Sequence, residues 1–156
     1  MERLRIARLD KQQELVGDTE RMIGEVQAAL GMANEARTRL AGAVELTRAG
    51  AGYGPSHPHT RRAELSLALF DLRRSNPPDP SVLAQLEQLA GLPSSDPELR
   101  KVAWLASTAI ALQHCREPGM GDGPQMLDDI AEDIEAALPE GDAIARTFAQ
   151  ERGRCG

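Results

Sequence analysis

Leu15-Val16-Gly17, Met22-Ile23-Gly24 and Ala29-Leu30-Gly31 repeat at seven-residue intervals near the start of the chain, and the pattern fades through Ala36-Arg37-Thr38 and Ala43-Val44-Glu45. A seven-residue apolar period specifies a helix that packs along a seam against another helix. The pattern predicts one long helix over residues 3–49. With Val16 at position a, that position holds Leu9, Val16, Ile23, Leu30 and Val44, with Arg37 as the exception. Position d holds Gln12, Thr19, Val26, Ala33 and Leu40, and position g holds Leu15, Met22, Ala29, Ala36 and Ala43. These three positions span about 120° of a helix surface, wide enough to face a bundle and wider than a two-stranded zipper.

The glycines fall at position b, about 100° from a, so they flank the seam. Each costs about 1 kcal/mol relative to Ala in a helix interior. They are expected on an exposed flank of a Gly- and Ala-rich sequence, in preference to a close approach by a second helix.

Working outward, Gly50-Ala51-Gly52-Tyr53-Gly54-Pro55-Ser56-His57-Pro58-His59 ends the helix and forms a linker, because Gly supplies a left-handed terminus and Pro forbids continuation. A second helix is predicted over residues 60–74, stopped by Asn76-Pro77-Pro78. Asp79-Pro80 and Asp96-Pro97 pair an N-cap residue with Pro at the first helical position, opening helices over 80–91 and 97–116. In the latter, the uncharged run Val102–Leu112 marks the central helix of the bundle. Two more helices follow over 124–138 and 140–152, and residues 153–156 are expected to be a disordered tail. The fold class is therefore all-α: a heptad-patterned arm (1–49), a Gly/Pro/His linker (50–59) and a bundle of about five shorter helices (60–152).

Composition supports this. Hydrophobic residues make up 41% of the chain and aromatics 3%, so Leu and Ala carry the core, as suits close helix packing. The net charge of −6 lies in the last quarter, where residues 119–156 hold three basic and nine acidic side chains. Without a basic stripe the chain is a poor nucleic-acid binder; Arg61-Arg62 and Arg73-Arg74 read as solvated helix ends. Met1-Glu2-Arg3-Leu4-Arg5 has no apolar core of signal-peptide type, and no run approaches a membrane span. The expectation is a cytoplasmic protein with no membrane partner. Two cysteines are too few for a disulfide framework; Cys115 is expected to be a buried small apolar residue and Cys155 a free thiol.

No motif carries chemistry. His57, His59, His114 and Cys115 lack the convergent spacing of a zinc site. Gly119–Gly123 has no Gly-Lys-Ser/Thr ending. Ser66, Ser107, Thr108 and Cys115 have no elbow or base beside them. No catalytic residue, metal or cofactor is assigned, and a non-enzymatic protein is expected. The leading function is self-association or partner-helix binding through Leu9, Val16, Ile23, Val26, Leu30, Leu40 and Val44. The alternative is an acidic inhibitor, immunity protein or chaperone. Its contact face would be Asp128, Asp129, Glu132 and Asp133, like charges at i,i+4 that disfavour a helix unless solvated or met by a basic partner. A small enzyme with a site assembled across the fold is the third reading.

Overall fold

The computed structural model describes the backbone of residues 2–155 other than 51, 94 and 118, and the side chains of these residues except 2–11, 13 and 14. It is all-helical, with seven helices and no strand among the described residues: α1 (Glu2–Ala29), α2 (Ala33–Ala49), α3 (Pro58–Arg74), α4 (Pro80–Ala90), α5 (Pro97–Arg116), α6 (Gly123–Ala137) and α7 (Ala143–Arg152). They form two compact units, residues 1–79 and 80–156. The helix at 58–74 packs on α2 and α1 and so belongs to the first unit, while the second holds α4–α7.

The single helix expected over 3–49 is broken. Gly31 takes φ +79°, its N–H donates to the Ala28 carbonyl at 3.1 Å, and the Met32 N–H donates to the Gln27 carbonyl at 2.9 Å. This is the paired 6→1 and 5→2 bonding of a Schellman stop, which satisfies terminal carbonyls and requires a left-handed residue. The chain reverses there, and α2 returns along α1.

In this hairpin the glycines face the partner helix. A Cβ on Gly17 would lie 2.8 Å from Thr47 Cγ2, and one on Gly24 would lie 2.9 Å from Leu40 Cγ and Cδ2. The two pairs are seven residues apart on both helices, so Leu40 and the methyl group of Thr47 settle into two notches one heptad apart. The expected exposed flank is thus the packing face, and burying Leu40 to 1% exposure contributes roughly 1.5–3 kcal/mol against the helix-propensity cost of the notches. On its other side α2 meets α3: Ala36 and Leu40 pack with Phe70, and Ala43 and Val44 with Ala63.

The 50–59 segment is a folded connector within the first unit. The Tyr53 ring stacks on His57 at 4.1 Å and on His59 at 4.9 Å between centroids. Thr60 Oγ1 donates to the Gly54 carbonyl at 2.7 Å, and the His57 Nδ1 accepts from the His59 N–H to cap α3.

In the second unit α5 is central, packing against α4, α6 and α7. Trp104, Ala111 and Leu112 of α5 form a core with Leu127, Ile130, Ala131 and Ile134 of α6 and Phe148 of α7. Asp96, Asp122 and Asp142 each accept a backbone N–H at the start of a helix, so aspartate capping sets three of the boundaries. The thiols are not free: Cys115 and Cys155 form a disulfide with a Cα–Cα distance of 5.5 Å. That bond, together with hydrogen bonds from the Gly153, Arg154 and Cys155 N–H groups to α7 carbonyls, fixes a tail expected to be disordered; Gly156 lies outside the described residues. Sequence reading missed the pair because a spacing of 40 residues carries no motif, and only the fold brings the two sulfurs together.

Candidate interaction surface

Because α1 packs through its glycines, its apolar stripe points the other way. On a helical wheel the inward residues Gly17, Arg21 and Gly24 centre about 180° from the a/d/g arc. Leu15, Val16, Met22, Ile23, Val26 and Leu30 are accordingly 67%, 48%, 54%, 37%, 58% and 71% exposed. From Leu15 to Leu30 this strip runs about 22 Å along the helix. Of the sequence-predicted contact residues, Val16, Ile23, Val26 and Leu30 share this open face. Leu40 and Val44 do not: both are buried inside the first unit, where they hold α1 and α3 to α2. Leu9 lies outside the described side chains.

What α1 buries instead is polar. Arg21, 5% exposed, donates to Asp18 at 3.0 Å and to Glu25 at 2.8 Å. The Glu25 carboxylate also accepts from Ser66 Oγ of α3 at 2.7 Å, and Arg39 of α2 pairs with Glu20 at 2.9 Å. His59 Nδ1 sits 3.5 Å from Asp18 Oδ1, too far for a strong hydrogen bond but an ion pair when the imidazole is protonated. Partial burial pushes the Asp18 carboxyl up, but the hydrogen bond and charge of Arg21, with His59 beside it, outweigh this and hold its pKa below the usual carboxylate value. A second carboxylate, Glu64 of α3, is buried between Arg48 and Arg61 at 3.1 and 3.0 Å. Pairing of this kind offsets part of the cost of taking the charges out of water, although Arg61 Nε is left without a hydrogen-bond partner among the described residues.

The acidic residues of α6 lie together on its outer face. Asp128, Asp129, Glu132 and Asp133 are all exposed; Asp128 is ion-paired with Arg152 of α7, and Asp129 accepts from Gln125. His57 and His59 belong to the first unit, His114 to the second, and Cys115 is bonded to Cys155. Among the described residues no group of three or more His, Cys, Asp or Glu side chains is placed to hold a metal ion, and no helix is long and apolar enough to cross a membrane.

No family model, curated protein or solved structure matches this chain.

Proposed function

We propose that this chain is a non-enzymatic interaction protein that presents the a/d/g face of α1 to another helix, the first candidate being α1 of a second copy. The observation that supports it is the strip of six large apolar side chains left open on a helix already packed on its opposite side. Soluble proteins rarely expose a contiguous strip of this kind unless something covers it. Its heptad spacing suits a helical partner.

The test is the mass of the intact chain by light scattering, compared with a Val26→Asp/Leu30→Asp variant. Both side chains are mostly exposed, so the variant should keep the helix content of the wild type. A dimer that becomes a monomer in the variant is the expected result. A wild-type chain that stays monomeric at tens of micromolar eliminates the second copy and leaves a helix from another protein. Deleting residues 1–49 would also remove α2, on which α3 packs, so point substitutions are the cleaner cut.

A second reading takes the outer face of α6 as the contact for a basic protein, as an inhibitor, immunity protein or chaperone would use it. Its support is that Asp129, Glu132 and Asp133 are exposed with no cationic partner among the described residues. Binding there would weaken steeply with salt, whereas pairing through the apolar strip would not. The compartment is a proposal of the same kind. The Cys115–Cys155 bond would persist in an oxidising compartment and be reduced in a cytoplasmic one, so alkylation of thiols in freshly lysed cells distinguishes the two.

A further inference from the structure

We infer that the first unit carries a binding site for a small aliphatic monocarboxylate, in a cleft below the α1–α2 turn. The cleft has a volume of about 340 Å³, at the small end of ligand pockets. Its floor is apolar, made by the buried Leu40 and Phe70 and the half-buried Ala28, and the exposed Arg73, Arg74 and Glu25 lie at its rim.

The charges select the ligand. Glu25 is already engaged by Arg21 and by Ser66 Oγ, so it does not neutralise the rim. Arg73 and Arg74 meet no carboxylate among the described residues, and the Arg74 guanidinium carbon lies 5.5 Å from the centroid of the Phe70 ring. That stacking is favourable in itself, and it stations one guanidinium over the apolar floor. With Glu25 engaged elsewhere, the two guanidiniums leave the rim net positive, which selects an anion. A single carboxylate on an apolar chain suits this rim, because a second negative charge would be repelled by the Glu25 carboxylate that shares the lining. Planar guanidinium forks suit a carboxylate head, and the floor suits a hydrocarbon body, which releases water from Phe70 and Ala28 as it enters. The same cleft is lined by Ala29, Gly31 and Ala33, so an occupant would brace the α1–α2 turn. The cleft borders the outward face of α1 at Ala29, but its charged groups Arg73 and Arg74 come from α3, so the site does not depend on that face being covered.

The test is calorimetric titration of the full chain with decanoate, with methyl decanoate as the probe lacking the charge. Both are repeated on an Arg73→Gln/Arg74→Gln variant, whose substitutions are exposed and leave the core intact. Saturable binding of one decanoate per chain, weakened roughly tenfold or more by the variant and by esterification, is the expected result. Absence of saturable binding overturns the inference. Binding that is unchanged in the variant, or equal for acid and ester, also overturns it, because decanoate would then be coating the apolar strip of α1.

Discussion

In residues 1–79 the longest helix turns Leu15, Met22, Val26 and Leu30 to solvent and buries two glycines and an arginine. In residues 80–156 the order is the usual one: Trp104, Leu127, Ile134 and Phe148 are inside, Asp129, Glu132 and Asp133 are outside, and a disulfide closes the end. The difference shows how far close packing can substitute for hydrophobic burial. A helix can be held by notches and satisfied ion pairs, at modest net gain, which leaves its apolar face available for another use. Among the described residues of the second unit, Met120 is the one large apolar side chain left exposed.

The comparison breaks most visibly at the disulfide. Replacing Cys115 and Cys155 by Ser should destabilise residues 80–156 by about 3–4 kcal/mol, from the entropy of opening a loop of this length, and leave the first unit untouched. The single Trp104 lies in the second unit, so chemical denaturation followed by its fluorescence should show the loss. A probe on Tyr53 should not. Equal loss in both transitions would mean that the two units do not unfold independently.

Next in size are the glycine notches. On an exposed flank, Gly24→Ala would stabilise the protein by about 1 kcal/mol through helix propensity. Against Leu40 it should instead be net destabilising, by roughly 1 kcal/mol, because overpacking of about 1–3 kcal/mol exceeds that gain. Gly17→Ala against Thr47 should have the same sign. The direction of the shift in denaturation midpoint therefore decides which face of α1 is packed.

The smallest effect belongs to the polar side of α1. Asp18 has its pKa lowered in the fold. Its contribution to stability is therefore complete above the unfolded carboxylate value, about 4, and is lost as pH falls through the lower folded value. Asp18→Asn should flatten that part of the acid limb of the first unit's stability curve and change little in the second. An unaltered acid limb would show that Arg21 is satisfied without it.

Much of the second unit could be read directly. The Asp-Pro pairs at 79–80 and 96–97 announced α4 and α5, and the uncharged run at 102–112 announced a central helix, because capping and solvent exclusion act locally. The first unit could be read only in part. The heptad carries on past Gly31, interrupted by Arg37 at position a but with Ala36, Leu40, Ala43 and Val44 continuing positions g, d, g and a, so periodicity alone indicated one helix. The signal for the turn was the Leu30-Gly31-Met32 step, a Gly at the left-handed C′ position disguised by two earlier glycines in the same register.

The sequence by itself determined that the chain is helical, where most helices start, and that one apolar stripe of α1 is continuous. Only the tertiary structure decided which side of that helix faces inward. Periodicity measures how residues are distributed around an axis, and the axis can be rotated at no cost to the pattern. The choice was made by shape, where Leu40 and Thr47 fill the space left by Gly24 and Gly17, and by the pairing of Arg21 with Asp18 and Glu25. Both depend on residues that meet only after the chain has turned at Gly31.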